Sequence, residues 1–202
     1  MTTKTTDDLR TRILDAAERV IRARGVGAAT TREIARVAGC SEGSLYNHFP
    51  DKGELLFSVF TERLPAFISL LRDLPSRAGS RTVRFHLEEL AETALEFFGS
   101  VVPMTASVLA DPELRGKHQQ RLKEQDVGPH MAYRLLTEYL RAEQAIGRVD
   151  RRAKVEAVPP LILGACYHLA VLSHLTGDEV DANERFLKDI VRTLVTGIAP
   201  KE

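Results

Sequence analysis

Three helix-start signals crowd between Thr30 and Asp51, and no other feature constrains the fold of this chain as much. Thr30 and Glu33 form a T-x-x-E capping box that opens a short helix, which Gly39 ends. Ser41 caps a third short helix over 42–48. Asp51 and Glu54 form another box, opening a fourth helix that runs toward Asp73. Upstream, Leu9, Ile13, Ala17, Val20 and Ile21 recur at helical spacing, with Gly25 as the expected C-cap. Starts this close leave room only for very short connections, hence for a compact bundle of small helices.

The segment 31–50, Thr-Arg-Glu-Ile-Ala-Arg-Val-Ala-Gly-Cys-Ser-Glu-Gly-Ser-Leu-Tyr-Asn-His-Phe-Pro, carries the requirements of a helix-turn-helix. Ala35 is small where two helices cross closely, and Gly39, four residues later, tolerates the positive φ of a tight turn. Ile34, Ala38, Cys40, Leu45 and Phe49 are the apolar groups that pin the second helix to the first. What remains on that second helix is short or hydrogen-bonding. Ser41, Glu42, Gly43 and Ser44 at its N-terminal end suit close approach to base edges in a major groove. Asn47 suits a base or a phosphate, and Tyr46 and His48 suit phosphates at the groove wall. Thr30 and Thr31 at one helix N-terminus, and Lys52 at another, stand where free N–H groups and the helix dipole attract phosphate. As alternatives, His48 fits a catalytic base and Tyr46 a core residue. Leu45 and Phe49 fill the core role better.

Beyond Leu74-Pro75 the helices lengthen. One is expected over 81–100, carrying Phe85, Leu87, Leu90, Ala94 and Phe97, after which Pro103 and Pro112 should punctuate shorter pieces. Others are expected over 113–125, 129–146, 151–176 and 182–198, with Pro159-Pro160 kinking or splitting the fourth of these. The stretch 161–175 is apolar almost all round, which predicts burial on every side. The last helix carries a broad stripe of Phe186, Leu187, Ile190, Val191, Leu194, Val195 and Ile198. These two helices, 159–176 and 182–198, fit either a bundle with a second copy of the chain or burial in their own core. No strand shows clean alternation, so the fold class is all-α.

Charge gives no help toward nucleic acid. The chain has 28 Lys and Arg against 28 Asp and Glu, so a case for DNA must rest on the placement of specific groups. A polar N-terminus and the absence of a run of about 18 apolar residues predict a cytoplasmic protein with no membrane partner. Cys40 and Cys166 fit no metal or redox spacing. His86, His118, His130, His168 and His174 stand at no compelling metal spacing, so no metal and no cofactor are expected. Glu88, Glu89, Glu92 and Glu96 suit a solvated helix face. With no nucleophile elbow, P-loop, dinucleotide fingerprint or zinc-protease motif, enzyme chemistry has no foothold.

The run from Thr30 to Gly39, followed by Cys-Ser-Glu-Gly-Ser-Leu-Tyr-Asn-His-Phe-Pro-Asp-Lys-Gly-Glu-Leu-Leu, resembles the signature of the tetracycline-repressor (TetR) family. The resemblance covers roughly residues 10–60. Cys40 stands where an aliphatic residue is more usual, and Gly53 sits early in the fourth helix. The resemblance implies a DNA-binding domain over 1–52 and a larger helical effector-binding and dimerisation domain over 53–202. It further implies a homodimeric regulator on a near-palindromic double-stranded operator, released when a small molecule binds the C-terminal domain and tilts the fourth helix. An apolar or amphipathic effector would meet residues such as Phe60, Phe67, Phe85, Phe97, Met104, Met131, Leu135, Tyr139 and Cys166, each of which also fits plain core. Phe98 and Tyr133 fit the same role.

Overall fold

The structure is a computed structural model, and it describes residues 3–62, 65–110, 112–124, 128–177 and 180–198. Those residues form α1 (Thr3–Ala28), α2 (Thr31–Ala38), α3 (Glu42–Tyr46), α4 (Lys52–Glu62), α5 (Pro65–Asp73), α6 (Val83–Ala110), α7 (Pro112–Glu124), α8 (Pro129–Ala145), α9 (Val158–Thr176) and α10 (Val180–Ile198). Short 3-10 turns lie at Leu74–Arg77 and Val155–Ala157, and the described residues contain no strand. The fold is all-α. The chain divides into two compact units: residues 1–65 with 103–120, and residues 66–102 with 121–202.

In the first unit α1 packs on α2 and α4, and α2 on α3. Ile13, Leu14, Ala17, Val20 and Ile21 give α1 a buried stripe at helical spacing. Opposite it lie Ile34, Ala35 and Ala38 of α2, Leu45 of α3, and Phe49, Leu55 and Val59. His118 of α7 meets the ring of Phe57 edge-on at 5.8 Å. The expected stop at Gly25 is not used: α1 continues to Ala28. Glycine weakens a helix interior by about 1 kcal/mol but does not by itself end it. The fourth helix is expected to run toward Asp73; α4 is described to Glu62 and α5 from Pro65, and the expected continuation through 63–64 lies outside the described residues.

The core of the second unit includes Phe67, Leu87, Leu90, Leu136, Tyr139, Ile162, Cys166 and Val191. Three expectations need correction here. Pro103 does not end a helix but lies inside α6. A proline there removes the donor that would bond the carbonyl four residues back, which is that of Gly99. His174 of α9 donates its Nε2–H to that same carbonyl at 2.7 Å. Pro159 and Pro160 neither kink nor split a helix, because they occupy the first turn of α9, after the 3-10 turn. Nor is the apolar stretch 161–175 buried all round. Ile162, Leu163, Cys166, Leu169 and Ala170 face the core, whereas Leu161, Leu172 and Leu175 are exposed. By length and composition Val155–Thr176 is apolar enough to cross a membrane, although the core takes one whole face of it.

A buried polar knot ties the turn before α6 to α8. Glu143 has no exposed surface. It accepts from the Gly79 N–H at 3.1 Å and pairs with Arg148 Nε at 3.2 Å. Arg148 also donates to the carbonyls of Ser80 and Arg81, the latter a non-glycine residue held at φ +39°. Beside it, His86 Nδ1 and the Tyr139 hydroxyl are 2.9 Å apart and fully buried. Burial, then the nearby Arg77 charge, lowers the pKa of His86 and favours its neutral form.

Candidate nucleic-acid interface

The local chemistry of α2 and α3 explains why this segment folds before any partner is considered. Thr30 is extended, and its hydroxyl accepts from the Glu33 N–H at 3.1 Å. The Glu33 carboxylate does not complete the capping box. It is engaged by Arg36, at 2.7 and 2.8 Å, and by Arg24, at 3.3 Å. The Arg36 bonds hold its carboxyl below the usual carboxylate range. Gly39 takes φ +68°, and the Cys40 N–H turns back to the Ala35 carbonyl at 3.0 Å, the closing bond of a Schellman-type end. Ser41 then caps α3 by accepting from Ser44 N–H at 3.0 Å, and Asp51 caps α4 by accepting from Glu54 N–H at 2.8 Å.

Two arginines of α1, which no local pattern singles out, complete the scaffold. Arg12 donates Nη2 to the Ala38 carbonyl at 2.6 Å and the Gly39 carbonyl at 3.3 Å, placing a cation on the negative end of the α2 dipole. Arg10 makes a two-pronged pair with Glu62, at 2.9 and 2.7 Å, and its guanidinium lies 5.3 Å from the Phe49 ring centroid. Cys40 is half-buried, and burial raises its thiol pKa.

On the outer face, side chains distant in sequence converge. Thr31 donates to Glu42 Oε1 at 2.5 Å, and its hydroxyl is 3.4 Å from that of Tyr46. Ser41 and Ser44 hydroxyls are 2.8 Å apart. At Gly43 an added Cβ would meet only the Ser41 hydroxyl, at 3.9 Å. Tyr46 keeps 46% of its surface exposed, unusual for an aromatic ring, and Thr30 and Asn47 are exposed as well. His48 and Lys52 are half-buried and follow α3. Directly behind this polar face, Leu45 and Phe49 are sealed in the core.

The candidate effector residues divide between two places. Phe67 and Phe97 stack at 5.0 Å, and the candidate Phe98 together with Tyr167, which sequence patterning does not single out, extends the same cluster. Phe85 and Tyr139 gather instead around His86, at 5.7 and 5.6 Å. Met131 is buried and Leu135 half-buried. Cys166 donates to the Ala91 carbonyl at 3.6 Å, and burial pushes its thiol up to about 12, far from the reactive thiolate. Phe60 and Met104 lie outside the residues whose side chains are described.

Residues 13–59 match the family model for bacterial regulatory proteins of the tetR family. These residues therefore form a TetR-type N-terminal segment. Among curated TetR-like relatives the chain is similar to the HTH-type transcriptional regulator SrpR of Pseudomonas putida, 46% identical over 57 residues, covering 28% of this chain and 27% of SrpR. The HTH-type transcriptional regulator BetI of Pseudomonas aeruginosa is 29% identical over 172 residues, covering 85% of this chain and 82% of BetI. The first curated relatives are matched over only 27–42% of their own length. Among solved structures, the transcriptional regulator FadR of Bacillus subtilis in complex with stearoyl-CoA superposes with a TM-score of 0.65 at 21% identity, over 93% of this chain and 98% of that one. That likeness is one of fold. The matched span takes in α2 and α3, the helix-turn-helix of the segment.

Proposed function

We propose that this protein is a homodimeric transcriptional repressor whose α3 enters the major groove of a near-palindromic operator. Ser41, Glu42, Gly43 and Ser44 meet base edges. Thr30, Thr31, Tyr46, Asn47, His48 and Lys52 hold phosphates and set register. The observation that carries this is the Thr31–Glu42–Tyr46 cluster, an exposed polar surface on a motif whose reverse side is fully packed. Recognition then rests on shaped hydrogen-bonding groups, not on a basic field, in keeping with the zero formal net charge.

The boundary we propose sets residues 1–52 as the DNA-binding domain and 53–202 as the effector-binding and dimerisation domain. Self-association through α9 and α10 is supported by the exposed Leu161, Leu172, Leu175 and Phe186, since isolated soluble chains rarely leave so many large apolar groups on two adjoining helices. An apolar or amphipathic effector is supported by the aromatic cluster around Phe67 and Phe97, and by the stearoyl-CoA in the structure of FadR. Such an effector releases DNA only if it binds the DNA-free form more tightly. The protein acts by binding rather than catalysis, in the cytoplasm and with no cofactor. A gel shift with DNA flanking its own gene tests the proposal. A discrete complex that dissolves on adding the effector is expected, and no complex at low salt overturns it.

A further inference from the structure

Arg10 lies in a unit that meets DNA under the reading above, and a lone arginine on such a unit invites assignment to phosphate. Its geometry points elsewhere. Both terminal nitrogens of its guanidinium are engaged by the Glu62 carboxylate, at the C-terminal end of α4. The flat face of the same group lies over Phe49, a residue 1% exposed that stands three residues after the end of α3. One side chain of α1 therefore touches the end of α4 and the anchor of the helix that reads DNA. The planar fork is what permits this, because a guanidinium can bond a carboxylate in its plane while stacking on a ring through its face. A lysine ammonium can do one or the other, not both in that geometry.

We infer that Arg10 and Glu62 form a positioning clamp that fixes the angle of α3 through Phe49, so that Glu62, an acid, promotes DNA binding. The pair is 37% and 40% exposed, which makes it a weak contributor to folding but a sensitive one to orientation. The clamp links α3 to α4 within the first unit, so that a change at Glu62 is felt at Phe49.

This inference rests on the proposed DNA-binding role, and its test separates the two. A duplex selected by the wild-type protein from a random-sequence pool serves as probe, and affinity is measured across a salt series for wild type, R10K, R10A and E62Q, with thermal melting of each. The clamp requires R10K and E62Q each to weaken binding about fivefold or more. It also requires the slope of log affinity against log salt to stay unchanged in R10A. A direct phosphate contact makes the opposite demands. R10K would bind nearly as well as wild type, R10A would flatten the slope by about 0.9, and E62Q would bind as well or better, because a negative charge near DNA is gone. Any of those results overturns the clamp. So does unfolding of either conservative variant, since a half-exposed pair that unfolds the domain is holding the fold together and not setting an angle. If the wild-type protein selects no duplex at all, it is the regulator assignment that fails, and the clamp with it.

Discussion

Replacing Gly43 with alanine should make the protein more stable and a poorer DNA binder. Gly43 is the second residue of α3, within the helix, and an added Cβ meets nothing closer than the Ser41 hydroxyl at 3.9 Å. The free protein thus gains helix propensity without a clash, about 0.5–1 kcal/mol. That corresponds to a rise in Tm of about 1–4 °C for a chain of this size. On the operator, the same methyl group stands where the N-terminal end of α3 approaches base edges, and it displaces or separates that contact. A loss of one base contact, about 1–3 kcal/mol, weakens specific binding by about five- to 150-fold. Calorimetry of the free protein and fluorescence anisotropy on a selected duplex read the two effects separately. A lowered Tm would show that Gly43 serves the fold. A raised Tm with unchanged specific affinity would show that α3 does not approach DNA by this end, and would refute the reasoning.

Other consequences are equally accessible. His174→Ala should destabilise the wild-type protein by about 1 kcal/mol by freeing the Gly99 carbonyl, yet cost nearly nothing in a Pro103→Ala background, where the restored N–H takes that carbonyl. A denaturation cycle on the four proteins checks this, and additive effects would contradict it. Because burial lowers the pKa of His86 below the 6.5 of a free imidazole, the unfolded chain takes up a proton that the folded one refuses. The stabilisation is complete above that value and is lost as pH falls below it. His86→Gln should flatten this dependence below pH 6.5 in urea titrations, and an unchanged slope would exclude His86 as its source. Replacing Leu172 and Leu175 together with glutamate should leave the helical content intact and convert a dimer to a monomer in sedimentation, because both side chains are exposed in the single chain. A dimer that survives this change assembles through another surface.

How much of this was legible in the sequence follows from the range of the interactions. The caps at Thr30, Ser41 and Asp51 are three-residue devices, so the chain announces them, and the structure forms each of them. Gly39 is equally legible, because a turn of that shape needs a positive φ at one definite place. What sequence patterning misses is closed from far away. Arg12 reaches carbonyls 26 and 27 residues on, and His174 reaches one 75 residues back. The second of these explains why Pro103 looks like a helix end and is not one. The apolar ring of 161–175 shows that a helix should be buried without saying whether its own chain or another does so, and one side remains exposed here. The effector candidates are the least legible. Aromatic residues that pack into a core and those that line a ligand site obey the same pattern, and Phe67 and Tyr139 turn out to stand in different clusters.

Whether the polar face of α3 reads DNA on a neutral protein is decided by comparing the affinity of the wild-type protein with that of a Tyr46→Ala, His48→Ala variant on a duplex the wild type has selected. Tyr46 is 46% exposed and His48 only half-buried, so the variant should remain folded by circular dichroism. Binding should then fall by more than about tenfold, on selected and unselected duplexes alike, since phosphate contacts fix register for every sequence. A folded variant that binds the selected duplex as tightly as the wild type would contradict DNA reading by that face.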